Sequence, residues 1–197
     1  MSRTSTGATR ARRGAAPAGG RSATAPARHV VIQPSFGNQH ARRHWADTLD
    51  RLVDYRAPRL AEALTNDQAA ALDAQHPDGR AHFWGASDKH DKRADLLVAG
   101  DVVLLTGRKH VLAVGEVGHA FRNPGFARAL WRPDPARCLW SNVYSFRALC
   151  RPHIPYEQVW ALPGFNPGDN FMGLRLLSAE KASSILGLLD GLAPATR

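Results

Sequence analysis

The sequence predicts an α+β protein, a small closed β-barrel with flanking helices, and three observations predict it. Residues 102–105 and 111–117 are β-branched and aliphatic runs joined by Gly107-Arg108-Lys109-His110, the pattern of an antiparallel hairpin. Both runs are nearly continuous in apolar residues instead of alternating, which implies burial on both faces, as a closed barrel provides. Helix-start signals stand outside these runs, at Thr65 with Gln68, at Asn123-Pro124 and at Ser178.

Residues 1–28 are Ala/Gly/Pro/Arg low complexity, with Arg3, Arg10, Arg12, Arg13, Arg21 and Arg28 and no acid. That composition is shared with organelle transit peptides, but the preferred reading is a disordered basic arm, because it cannot bury enough apolar surface to order itself. Residues 29–190 then make a single domain, and 191–197 a tail. The formal charge is +9, and removing the arm's six leaves +3 for the rest. A mildly basic fold permits nucleic-acid binding without requiring it.

Within the domain, 29–34 (HVVIQP) is a strand stopped by Pro34. Trp45, Leu49, Leu52 and Val53 recur at helical spacing over 41–54. Thr65 and Gln68 form a capping box ahead of a second helix, which the turn His76-Pro77-Asp78-Gly79 ends. Residues 81–86 (AHFWGA) read as a strand running into a polar loop over 87–93. After the hairpin, Asn123-Pro124 opens a helix through Trp131, and 132–136 is a proline-broken loop. A strand follows over 139–149, continued or bent through 150–154, then a short helix over 155–161. Residues 164–170 are loop and 171–177 a last strand. Ser178 caps a closing helix with Ala182, Ile185, Leu186 and Leu189 on one face.

The chemistry-bearing residues exclude more than they assign. Cys138 and Cys150 are the only cysteines and make neither a disulfide framework nor a zinc pattern, which suits a reducing, cytoplasmic setting. No apolar run approaches the roughly 18 residues of a membrane span, so no membrane partner is expected. There is no GxSxG, P-loop or HExxH motif. Of the nine histidines, His76, His82, His90, His110, His119 and His153 stand in separate elements at no ligand spacing, so no metal and no cofactor are expected. Asp101 and Glu116 flank the hairpin as a nuclease acid pair would, but Gly118 occupies the position of the nuclease lysine. Asp101 after Gly100 is more simply a turn residue at a strand entrance, while Glu116 interrupts an apolar strand and needs partners if buried.

The aromatics point further. Trp84, Trp131, Trp140, Tyr144, Phe146 and Phe171 fall near predicted strand ends, beside basic loops. Aromatic faces next to cations are what base stacking with phosphate contact requires. Tyr144, Phe146 and Trp160 read better as core. Trp84 is singled out as a pocket wall: it ends a predicted strand, Gly85 and Ala86 clear space beside it, and Ser87, Lys89, His90, Lys92 and Arg93 follow.

These residues carry a resemblance. FWGAS, the polar loop, GDVVLL, a short turn and VLAVGEV, then FRNPGFARALW, WSNVYSF, HIPY and NFMG follow one another between His82 and Leu186. This order resembles the PUA-like superfamily in its EVE and YTH branch, and the modified-base-reading domains of methyl-dependent restriction systems. It covers a little over half the chain and leaves 29–80 unassigned, apart from a barrel edge through 30–32. The EVE pattern's arginine-asparagine segment after the tryptophan is replaced by SDKHDKR. The resemblance implies a small mixed barrel holding a flipped, modified base in an aromatic cage. It places the cage tryptophan at Trp84 and the base-edge contacts at Gly85, Ala86 and Ser87, with Trp131, Trp140 and Tyr144 as candidates for the other walls. Phosphate contacts are expected from Lys89, Lys92, Arg93 and Arg122, with the arm adding affinity without selectivity.

The resulting expectation is a non-catalytic reader of modified DNA, in preference to RNA, working with a restriction or defence partner protein. Two alternatives stand beside it. An ASCH-like amidohydrolase acting on acylated nucleosides would use Lys89 or Lys92 with Glu116. A protein-interaction module would use neither site.

Overall fold

The computed structural model describes residues 1, 28–131 and 139–192. Nearly all of the basic arm, the loop expected at 132–136 and Cys138 lie outside the described residues. Eight strands, β1 (Val30–Pro34), β2 (Val53–Asp54), β3 (Arg80–Ala86), β4 (Val102–Gly107), β5 (His110–Arg122), β6 (Asn142–Cys150), β7 (Ile154–Pro155) and β8 (Arg175–Leu176), form one mixed sheet. Its order is β2-β3-β6-β5-β4-β1-β8, with β7 beside β5. The helices are α1 (Gln39–Thr48), α2 (Pro58–Ala61), α3 (Asn66–Gln75), α4 (Asp91–Ala94), α5 (Pro124–Leu130), α6 (Tyr156–Trp160) and α7 (Ala179–Leu192). The protein is therefore a mixed α+β fold, a curved sheet with flanking helices.

The β4–β5 hairpin sits in the middle of this order, as the apolar runs predict. Its two turn residues, Arg108 and Lys109, both take positive φ (52° and 59°), the twist a two-residue hairpin needs. β5 runs past Val117 to Arg122, because slips in its pairing with β6 around Glu116 to Ala120 absorb Gly118 without ending the strand. β1 lies parallel to β4, Val30 opposite Val102, and antiparallel to β8, so it is an interior strand and not an edge.

Burial on both faces has a specific cause. Val30, Ile32, Val102 and Leu104 pack beneath α6 and α7, against Tyr156, Val159, Ala182 and Ile185. The alternate residues Val31, Val103 and Leu105 join Trp45 of α1, Leu49 at its C-cap, and Trp84, Tyr144 and Phe146 of β3 and β6. That second cluster draws on strands from both halves of the order, so the sheet curves around it.

Several local expectations are corrected. α1 stops at Thr48, and Val53 enters β2 opposite Ala81, which leaves Leu52 exposed. The polar stretch 87–93 is not loop: a 3-10 turn (Asp88–His90) passes directly into α4. Only Arg175–Leu176 of the expected last strand pairs, because Phe171 and Gly173 adopt positive φ (49° and 74°). The capping signals hold. Gln68 N–H donates to Thr65 Oγ1 while Thr65 N–H donates to Gln68 Oε1, and Asn123 Oδ1 accepts from Phe126 N–H at 2.9 Å.

No ladder pairing among the described residues closes the sheet into a barrel, since β2 and β8 stand at the ends of the order. A side chain spans the gap instead. Gln33 of β1 donates through Nε2 to the Gly85 carbonyl of β3 at 2.7 Å, and its Oε1 accepts a short bond from the Tyr144 hydroxyl of β6. Burial holds the Tyr144 phenol far above its ordinary pKa, so it stays protonated and donates. Replacing Gln33 by Leu removes the donor to Gly85 and strands the phenol in the core. This should cost about 2–4 kcal/mol, against about 1–2 for Tyr144→Phe. Denaturant unfolding of both variants checks this, and a Gln33→Leu protein as stable as the parent would refute the bridging role.

Candidate nucleic-acid interface

The bridge lies at the floor of a cavity of about 230 Å³. Gln33 and Pro34 line it from the end of β1, Gly85, Ala86 and Ser87 from the end of β3, and His90 from the 3-10 turn. Trp140, just ahead of β6, and Met172, Gly173 and Leu174, just ahead of β8, complete the wall. Strand ends thus supply backbone and small residues, and two loops supply the larger side chains.

Of the expected residues, Trp140, Gly85, Ala86 and Ser87 come together here. Trp84, Trp131 and Tyr144 do not line this cavity. Trp84 is fully buried and is not at a strand end, since Gly85 and Ala86 continue β3 in register with β6. Its ring meets Trp45 at 5.9 Å and Trp140 at 5.0 Å, both edge-on. Trp131 is also buried, with its indole N–H donating to Thr48 Oγ1 at 3.2 Å and His44 stacked on its ring at 5.2 Å. His44 in turn meets Trp140 edge-on at 4.6 Å. Trp140 is thereby half-buried on a bed of three rings, Trp84, Trp131 and His44.

Packing alone requires glycine at position 85. A Cβ there would stand 2.7 Å from the Asn142 carbonyl oxygen and 3.0 Å from the Trp131 ring. The sequence could not distinguish this use of glycine from room for a ligand, because Trp131 lies 46 positions away.

The basic residues divide. Lys89, Lys92 and Arg93 are exposed on the 3-10 turn and α4 and make no ion pair among the described residues. Arg122 is already engaged: its guanidinium reaches Asp95 at 2.6 Å and Asp91 at 3.5 Å, and donates to Asn142 Oδ1 at 3.1 Å. Asn142 Nδ2 donates to Ser87 O at 3.0 Å and Asp91 Oδ1 at 2.8 Å. Arg122 therefore braces α4 against β6, and the two carboxylates beside it oppose a phosphate.

His90 enters the sequence reading only as one member of the basic stretch after Trp84, with no site role of its own. Its ring lines the cavity, and its Nδ1 is buried without a hydrogen-bond partner among the described residues. Burial, then the charges of Arg93 and Lys89, hold its pKa below the usual 6.5, so the ring is neutral at pH 7, with one N–H and one lone pair. The Trp84 indole N–H is likewise unpartnered and buried.

The other candidate groups serve the fold. Asp101 is buried and accepts from the backbone N–H groups of His29 and Val98, both at 2.9 Å, which is the strand-entrance role expected of it. Glu116 is ion-paired with Arg147, so the lysine–glutamate pair of the amidohydrolase alternative is not assembled on it. His76 Nε2 lies 2.8 Å from the Ser145 hydroxyl inside the core. Among the described residues no three His, Cys, Asp or Glu side chains gather as a metal set, and no helix is long and apolar enough to cross a membrane. A larger cleft, about 910 Å³, is lined by Arg56, His76, Arg80, His82, Phe146 and Arg147, with Phe146 its one aromatic six-membered ring.

No family model matches the sequence, and no curated protein matches it. Among solved structures, the chain is similar to the N-terminal domain of Thermococcus gammatolerans McrB bound to m5C DNA. The TM-score is 0.60 at 16% identity, over 84% of this chain and 99% of that one. The resemblance to base-reading domains of methyl-dependent restriction systems is thus shown at the level of fold.

The packing makes a distinction that can be measured. Trp84→Ala opens a cavity in the core and should cost about 3–5 kcal/mol of stability. Trp140→Ala, at a partly open wall, should cost less than half as much. Thermal unfolding of the two variants side by side checks the order, and equal losses would show that Trp140 is also core.

Proposed function

We propose that the protein reads a modified base in DNA, flipped into the cavity between the ends of β1 and β3, without itself altering it. The observation that carries this reading is the coincidence of three features at one place. A supported tryptophan face and a neutral histidine with an unpartnered nitrogen border one opening, and the same histidine borders an adjoining cavity of about 410 Å³ lined by the unpaired cations Lys89, Lys92 and Arg93. The fold it shares with a domain bound to m5C DNA supports the choice of DNA over RNA.

Each part has a physical task. Base flipping costs a few kcal/mol of lost stacking and pairing. Stacking on Trp140 offsets it, because base–aromatic contact contributes roughly 1–3 kcal/mol. Trp84, Trp131 and His44 act behind Trp140, fixing its plane so that little ordering entropy is spent on binding. The backbone of Gly85, Ala86 and Ser87, with His90, addresses the base edge. Lys89, Lys92 and Arg93 hold flanking phosphates, which positions the strand without reading it. Residues 1–28 extend that attraction in a salt-dependent way. Cleavage of the marked DNA, in this reading, belongs to a restriction-type partner protein.

A titration tests the assignment. Duplex oligonucleotides with and without a central 5-methylcytosine are bound to the parent protein and to Trp140→Ala. The parent should prefer the methylated duplex, and Trp140→Ala should lose about ten- to a hundredfold in affinity for it. An unchanged preference in the variant would remove Trp140 from the site.

A further inference from the structure

We infer that Met172 is a wedge that enters the DNA stack in place of the extruded base, an inference that rests on the base-reading function proposed above. Flipping a nucleotide leaves a gap between its neighbours and an unpaired base opposite. Proteins that open or kink the duplex often fill such gaps with an apolar side chain, methionine among them, because the gap is flat, dry and lined by ring faces.

Met172 is placed for that task. It borders the cavity and is 68% exposed, while Phe171 before it and Leu174 after it are 2% and 1% exposed. A single exposed methionine is ordinary on a protein surface. One held outward by a braced loop is not. Phe171 and Gly173 both take positive φ, so the backbone reverses on either side and throws the intervening side chain into solvent. Phe171 is a non-glycine residue in that region, a conformation that persists only where the surroundings enforce it.

The surroundings do enforce it. The Phe171 ring is packed edge-on against Tyr156 at 4.7 Å. Asp169 accepts the Phe171 N–H at 2.8 Å and binds the Arg175 guanidinium at 2.8 Å, and Arg175 also donates to the Met172 carbonyl at 2.7 Å. Trp160 donates to the Asp169 carbonyl at 3.0 Å. The loop is therefore clamped at its base with its apolar tip exposed, which is costly in water and favourable only against another apolar surface. On the facing wall Gly173 lies against His90, so the tip and the cation-bearing turn flank one opening. A strand whose phosphates meet Lys89, Lys92 and Arg93, and whose base enters the cavity, would leave its gap beside Met172.

The wedge predicts a dependence on duplex structure that a wall residue would not show. Full-length protein, Met172→Ala and Met172→Leu are titrated with one 5-methylcytosine oligonucleotide as duplex and as single strand. Met172→Ala should bind the duplex about tenfold more weakly, since an unfilled gap is left, and the single strand within about twofold of the parent. Met172→Leu should recover most of the duplex affinity. Equal losses on duplex and single strand would make Met172 a cavity wall and overturn the wedge, as would an unaltered duplex affinity in Met172→Ala. A parent protein indifferent to methylation in both forms would overturn the base-reading function, and the wedge with it.

Discussion

The fold depends on the two hydrogen bonds of the Gln33 amide. β1 and β3 are separated by three strands in the sheet order, and no pairing among the described residues joins them. Gln33 reaches across to Gly85 and receives Tyr144, so one buried side chain satisfies two groups on the far half of the sheet. A buried amide left half-bonded would cost more than an apolar residue in its place, which makes the geometry self-enforcing. The same contact sets how far apart the strand ends stand, and the cavity is the space that separation leaves. Ladder closure would have sealed that end with backbone bonds. A single side chain holds the sheet curved and leaves the mouth accessible.

From that constraint the site follows in layers. The rings of Trp84, Trp131 and His44 give Trp140 a fixed seat, and the Asn142 network locks Ser87 and α4 to β6. The mobile possibilities of a long cationic turn are reduced by Arg122, whose two carboxylate partners sit on and beside α4. Lys89, Lys92 and Arg93 are then left to face solvent. The structural cation on β5 and the cations of the turn and α4 thus stand near one another, distinguished by whether an ion pair engages them.

Much of the architecture was legible in the sequence where short-range rules decide. Thr65 with Gln68 and Asn123-Pro124 announce helix starts because capping involves residues three apart. The hairpin declares itself because both of its strands and its turn are contiguous. What the sequence concealed is long-range. Trp84 reads as a wall because two small residues and a polar stretch follow it; only the pairing of Gly85 and Ala86 with Val143 and Asn142 shows that the strand continues past it. Gly85 reads as room for a ligand, although Trp131 occupies that room. Arg122 reads as free, although its partners Asp91 and Asp95 lie some thirty positions earlier. The order of motifs from His82 onward nevertheless pointed to the fold of a structural neighbour only 16% identical, although not to an open sheet.

The central claim is that the opening between the ends of β1 and β3 receives the base. A crystal structure of the full chain with a duplex bearing one 5-methylcytosine tests it directly. The account predicts the methylated base out of the helix, stacked on Trp140, with its edge toward Gly85, Ser87 and His90 and its phosphates against the 88–94 turn. A base lodged in the cleft of Arg56, Arg80 and Arg147, or one still stacked in an undisturbed duplex, would contradict it.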